Sequence, residues 1–414
     1  MIFLRATTLL LGMALLPSMS SANEQTKLEN WLNQVVSQHP KFQAAEAAVE
    51  KMKATLRAAE QPLFNPAIEF EYEDAGVNTK TAGISQTIDW NNKRLAQESV
   101  ADFKLQHALG ELKQQQQQLA AEALIGLVNY QISVKKLKIT QKRMGSMAQF
   151  LSLTKQRYDT GDLTEVDLTL SQLANNEALF QLSKSESKLI ASEQALYLLL
   201  GNKDGRFLDT LPALEGVPNN PEYPVDDREK LLDSLPMMQL ARARMNISRA
   251  EIKLRQREQR PSPTIGLKAG KEGDDNLTSV TFSMPLFVRN NFSAQVDAAN
   301  SQLIQVQREA INKRRQLAAN LTTAAKTLQV NRKAWLQWQM TGSQSLARQE
   351  KILERLWRAG EMSTTAYLVQ LKQALDTQAN AIDHKMRLWQ SWVQWLIASG
   401  EISQWLAVNN ANNR

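Results

Sequence analysis

The sequence predicts a mainly α chain with a small β part: long antiparallel helical hairpins plus four short β-strands. Three observations predict it. A helical period with almost nothing to stop it runs over about residues 93–158 and closes on Asp159-Thr160-Gly161-Asp162. A second such stretch covers about residues 291–357 and closes on Arg358-Ala359-Gly360-Glu361. Each is preceded by two short segments of alternating polarity, and the offset between matching residues hardly moves: 197 from Pro66 to Pro263, 198 from Ser85 to Ser283, 199 from Gly161 to Gly360. A tandem duplication is the economical account of so constant an offset.

Residues 1–22 have the layout of a secretory signal peptide, with Arg5, an apolar run over 9–16 and the small-residue ending Ser20-Ser21-Ala22. The first repeat then occupies 23–201. A short helical pattern over 28–36 is interrupted at His39-Pro40 and resumes from Phe42 to Glu60, where Pro62 and Pro66 break it. Residues 67–74 alternate, with Ile68, Phe70 and Tyr72 on one face and Glu69, Glu71 and Glu73 on the other. After a turn at Asp74-Ala75-Gly76, a run over 83–90 sets Ile84, Ile88 and Trp90 against Ser85, Thr87 and Asp89, so the two runs read as a hairpin. The long helix follows, about 100 Å if it is continuous. Its internal Gly110, Gly126 and Gly145 read as close-packing points. A second helix over 163–200 ends at Gly201.

Residues 202–226 hold Pro212, Gly216, Pro218, Pro221 and Pro224 without a sustained period and read as a linker. The second repeat, 227–400, restarts the order: Pro236 answers Pro40, Pro261 and Pro263 end a charged helix, and strands are expected over 264–270 and 280–286. The long helix, the turn at Gly360 and a helix over 364–399 complete it, and 401–414 read as a polar tail. In each half the shorter helices, laid end to end, match the long one and are expected to line it as a broken antiparallel partner.

Composition excludes much. Lysine and arginine number 49 against 42 acids, or 48 against 42 without Arg5, a mild bias that alternates with polar residues and argues against nucleic acid. Cysteine is absent, so there are no disulfides or thiolate sites. His39, His107 and His384 are dispersed, and Met237, Met238 and Met245 read as core packing, so no metal site is expected. Trp389, Trp392 and Trp395, three apart, read as a packed helical seam. With no phosphate loop, nucleophile motif or cofactor box, an enzyme is not expected. No second apolar run approaches a spanning helix, so the exported chain is either soluble or held in a membrane by strands. The acidic face Glu69, Glu71 and Glu73, with Lys268 on the later hairpin, suits either the wet face of a soluble hairpin or the lumen of a barrel with lipid outside. Four strands do not close, so in lipid several chains must pool them: eight strands from two, twelve from three.

The layout resembles the TolC-like outer membrane efflux proteins, and more loosely their heavy-metal branch of CzcC- and CusC-like channels. The likeness covers nearly the whole chain and rests on His39-Pro40, Asn65-Pro66, Ser85-Gln86-Thr87-Ile88 with Lys93-Arg94, the turn Arg157-Tyr158-Asp159-Thr160-Gly161, and Asp167 six residues beyond it. The resemblance implies a homotrimer in the outer membrane, a twelve-stranded β-barrel continued into the periplasm by an α-helical barrel. It implies a periplasmic adaptor and an inner membrane pump of the RND type as partners, and passive export, of metal cations if the heavy-metal branch holds and of drugs or other small organic molecules otherwise. Gly161 and Gly360 would be the reversals at the periplasmic tip, with Asp162, Asp167 and Glu361 near its gate. Glu69, Glu71, Glu73 and Lys268 would line the barrel lumen. In the second repeat Ala366 occupies the position matching Asp167, and Val369 stands where the family's namesake carries a further aspartate, which thins the acidic ring. A soluble periplasmic coiled-coil protein is the competing reading.

Overall fold

In the computed structural model, which describes residues 18–201, 208, 210–214, 216–219 and 228–409, the duplicated plan is present element for element. Most of the expected signal peptide, most of the expected linker and residues 410–414 lie outside the described residues. The first repeat runs α1 (Ser18–Gln38), α2 (Pro40–Ala59), β1 (Ala67–Ala75), β2 (Val77–Thr87), α3 (Lys93–Asp159) and α4 (Glu165–Leu200). The second runs α5 (Arg228–Ser234), α6 (Pro236–Glu258), β3 (Thr264–Glu272), β4 (Asp275–Ser283), α7 (Ser293–Gln337), α8 (Ser343–Arg358) and α9 (Thr364–Ser399).

The matching helices start for matching reasons. Proline at the first helical position, where a backbone N–H has no partner to lose, opens both α2 and α6. His39 adds a cap, its ring nitrogen accepting from the Lys41 backbone N–H at 3.1 Å. Helix α3 begins after Asn92 in the left-handed region, and the Asp89 carboxylate takes the orphan N–H groups of Lys93 and Arg94 at 2.9 and 2.8 Å. At 67 residues α3 is the spine of the molecule. It packs against α2 and α4 of its own repeat and against α6 and α9 of the other, while α7 lies against α6 and α9.

The strands depart from the expected boundaries. β2 starts at Val77, directly after the Gly76 turn, and stops at Thr87. Its first residues are Asn78, Thr79, Lys80 and Thr81, which have no apolar alternation to read. Trp90 lies beyond the strand, its indole N–H donating to the Pro261 carbonyl at 2.9 Å. β4 likewise starts early, at Asp275, and ends at Ser283 before Pro285, which has no ladder donor.

The second long helix is continuous but carries a π-bulge. This π-turn, Trp338–Gly342, lies between α7 and α8, with the Ser343 N–H reaching the Trp338 carbonyl. Of the three glycines expected at close contacts, Gly110 faces Leu240 and Gly126 faces Leu196 and Leu199, but Gly145 has nothing within 4 Å of a Cβ position. The tail expected to be polar forms a 3-10 helix over Glu401–Asn409, and Ile402 and Leu406 are buried in the main core.

That core lies midway along the helices, where Leu32 of α1, Leu124 and Leu127 of α3, Leu321 and Leu328 of α7, and Leu388 and Val393 of α9 meet. Each fully buried leucine contributes about 2 kcal/mol. The seam Trp389, Trp392 and Trp395 belongs to it, with Trp389 and Trp392 edge to face at 5.4 Å. The described part of the linker is held on this body: Gln131 donates to the Pro212 carbonyl at 2.6 Å and accepts from the Leu214 N–H at 3.0 Å.

Candidate functional site

The four strands form one antiparallel sheet in the order β1-β2-β3-β4, so each repeat supplies a hairpin and the hairpins pair through β2 and β3. Strand alternation gives the sheet two unlike faces. One carries Ile68, Phe70 and Tyr72 from β1, Ile84 from β2, Ile265 and Leu267 from β3, and Val280 and Phe282 from β4. All eight are open to solvent, Phe70 at 83% and Val280 at 72%. Among the described residues nothing covers this face, and β1 and β4 are both edges.

The opposite face holds the four residues singled out for a lumen. In register, Glu69 opposes Gly83 and Gly83 opposes Lys268. A Cβ at Gly83 would sit 2.5 Å from the Lys268 side chain, so the missing side chain lets lysine cross β2. Its ammonium reaches Glu69 and Glu71, each at 3.2 Å, and the Ser85 hydroxyl donates to Glu69 at 2.7 Å. Glu73 lies further along β1, toward the turns. The acidic face is thus partly neutralised from within the chain.

At the far end of the helices the two repeats turn alike. Gly161 has φ +80° and Gly360 φ +76°, with nothing within 4 Å, so glycine is needed for the left-handed backbone and not for space. The N–H groups of Gly161 and Asp162 bond the carbonyls of Tyr158 and Arg157, and those of Gly360 and Glu361 bond Trp357 and Leu356, a Schellman closure in each case. Asp162 and Glu361 are exposed just past the reversals, Asp162 lying 3.4 Å from Arg157. Asp167 has local work: its carboxylate accepts from the Thr164 N–H and hydroxyl at 3.1 and 2.7 Å while the Thr164 oxygen accepts from the Asp167 N–H, a complete capping box for α4. In the second repeat Ser363 caps Ala366 from one side only.

Between tip and core, groups that sequence reasoning missed tie the repeats together. Gln390 donates to Asn129 at 2.9 Å, Lys136 to Asp383 at 2.7 Å, and Arg143 to Asp376 at 2.9 Å. The partners step by seven in opposite directions along α3 and α9, the signature of an antiparallel heptad seam. Lys372 bridges α9 to Glu177 of α4 at 2.8 Å. Below this ladder Phe150, Trp357 and Tyr367 stack with centroids 4.8 to 5.3 Å apart.

Nearer the sheet, a cavity of about 340 Å³ opens between α3, α6 and α7, lined in part by His107, Glu111, Leu240, Arg244, Val306 and Lys313. The His107 Nε2 accepts from Arg244 Nε at 3.2 Å, and Nδ1 faces Glu111 at 3.5 Å. Burial, with the Arg244 charge, holds the imidazole below its ordinary pKa against the opposing pull of Glu111.

Comparison with known proteins agrees with this geometry. Residues 31–202 match the family model "Outer membrane efflux protein". The chain is 24% identical over 274 residues to the cobalt-zinc-cadmium resistance protein CzcC of Cupriavidus metallidurans, a match that spans 65% of the chain and 65% of that protein's length. Among solved structures, a membrane protein from Pseudomonas aeruginosa superposes with a TM-score of 0.77 at 16% identity, over 90% of this chain and 93% of its own. CusC superposes with a TM-score of 0.73 at 15% identity, over 91% and 92%. These likenesses carry the fold. The chain thus has the fold of these solved structures, and its first repeat, residues 31–202, is similar to the outer membrane efflux protein family.

Proposed function

We propose that this chain is the outer membrane channel of a tripartite efflux pump, a passive duct driven through a periplasmic adaptor by an inner membrane pump. The observation that carries the reading is the sheet with one apolar, uncovered face and two unpaired edges. In lipid such edges are tolerated only in a closed barrel. Three copies supply twelve strands, with Ile68, Phe70, Val280 and Phe282 toward lipid and Glu69, Glu71, Glu73 and Lys268 toward water. The tips at Gly161 and Gly360 then form the periplasmic aperture, with Asp162 and Glu361 as its open carboxylates and Asp167 chiefly as a cap. Opening realigns the helices between two packings.

The test is reconstitution of the purified chain in planar bilayers. A trimer with ohmic conductance, resistant to carbonate extraction, is expected; a monomer that stays in water without detergent removes the duct. For cargo we propose metal cations, supported by the likeness to CzcC, which its name ties to cobalt, zinc and cadmium resistance. Deleting the gene should lower tolerance to those cations more than to organic toxicants. Unchanged metal tolerance with a lost tolerance to organic compounds assigns the duct to small organic molecules instead.

A further inference from the structure

Where the apolar face ends, toward the hairpin turns, the next row across the sheet is Tyr72, Lys80, Lys271 and Asn276. The two lysines are directly opposed across β2 and β3, on the same side as the apolar residues. Side chains so paired have Cβ atoms about 5 Å apart, and like charges there repel. Among the described residues neither ammonium has a carboxylate partner; Lys80 lies 5.5 Å from the Tyr72 ring and the pair is otherwise open. Lys268, three positions before Lys271 and on the other face, is by contrast held by two carboxylates. At the level of the lysine pair the opposite face carries Glu73 and Glu272, both aligned with Thr79. At the lysine row the sheet is acidic on the proposed water side and basic on the proposed lipid side; Asp74, one row nearer the turn, shares the lysines' face.

We infer that Lys80 and Lys271 form a docking site for the phosphorylated headgroup of a membrane lipid. The inference rests on the duct reading above, which puts this face in lipid. Two arguments select the occupant. Two uncompensated cations in register call for a multiply charged anion, which phosphate supplies. The position selects a lipid over a free ion. Seven residues of strand separate the Lys80 row from Thr87, about 23 Å extended and about 16 Å in projection at a 45° tilt, and Trp90 lies further out beyond the strand, so the two together approach the height of a lipid-facing band. The lysines therefore stand at the headgroup level on the side of the turns, with Tyr72 as the interfacial aromatic beside them.

The test is thermal unfolding of the full-length protein in detergent micelles, followed by circular dichroism, with bisphosphorylated lipid A, dephosphorylated lipid A of the same acyl chains, or inorganic phosphate added. Bisphosphorylated lipid should raise the midpoint by several degrees in the wild type and in K80R/K271R, and by little in K80Q/K271Q; the other two additives should leave the wild type near its starting value. An equal rise in K80Q/K271Q, with dephosphorylated lipid, or with inorganic phosphate overturns the site. The duct reading fails separately: it is lost when the wild type neither inserts into vesicles nor resists carbonate, whereas insertion without a lysine-dependent response to the phosphates removes only the lipid site.

Discussion

The two repeats build the same long helix in different ways. Helix α3 runs 67 residues without a break, whereas its counterpart carries a π-turn between α7 and α8. With the 199-residue offset, the π-turn falls opposite residues 139–143 of α3. There Arg143 is pinned to Asp376, about two turns below the Lys136 pair. The caps differ in the same direction, reciprocal at Thr164 and Asp167, one-sided at Ser363. The duplicated plan has kept the topology, and the second repeat carries the irregular backbone, a π-bulge of the kind frequent at functional sites.

The largest expected effect breaks that difference at its sharpest point. A Cβ on Gly342 would lie 2.2 to 2.8 Å from the Trp338 ring, so G342A must expel the indole and should destabilise by about 3 kcal/mol. Gly145, in the uninterrupted helix, has empty space around it, and G145A should stabilise by about 0.5–1 kcal/mol. Chemical unfolding of both variants in detergent tests the contrast, and equal signs would remove it. Next in size is the ladder. The Arg143 side chain is 9% exposed and Asp376 47%, so the pair is asymmetric. D376A strands a buried guanidinium whose Nε already lacks a partner and should cost about 2 kcal/mol, more than R143M, which leaves a carboxylate that water can reach. The reverse order in melting temperature would show that the seam is not what holds α3 to α9.

How much of this was legible follows the physics of each signal. Helix α9 and the two glycine turns were readable to the residue because a long apolar period, a capping serine and a positive-φ glycine are local signals. The strand ends were not. Asn78 through Thr81 sit where the sheet leaves its apolar band, and alternation vanishes there, so Lys80 went unread along with the rim it belongs to. The π-turn was not readable because Thr341-Gly342, though a weak helix pair, sits in a sequence whose apolar spacing continues from Trp335 to Leu346. The ladder was visible only as charges seven apart on two helices, and its meaning depends on which helices are neighbours. Asp167 was seen as an aperture group, although Thr164-x-x-Asp167 is itself a capping pattern.

The caps give a smaller test, about 1 kcal/mol. T164A loses the two hydrogen bonds of the Thr164 hydroxyl, to the Asp167 N–H and carboxylate, whereas S363A loses one, so T164A should lower the melting temperature more. A366D should build the missing arm in the second repeat and raise it. If A366D has no effect while T164A does, the second tip is set by its aromatic stack and not by its cap.

The smallest effect expected belongs to His107, whose position in the second repeat is filled by Val306 across the same cavity. The folded state holds the imidazole below its ordinary value of 6.5, mainly by burial, so the unfolded chain binds the extra proton first. Stability from this group is therefore complete above about pH 6.5 and falls as the pH drops through that value, levelling once the folded form also protonates. Protonation would also take from Arg244 the nitrogen that accepts its N–H and set two cations side by side, an arrangement that Glu111 opposes. Melting temperatures between pH 7.5 and 5.5, above the range where ordinary carboxylates titrate, should decline in the wild type and stay flatter in H107Q. Parallel slopes would place the pH dependence elsewhere in the chain and leave the two repeats alike in this respect.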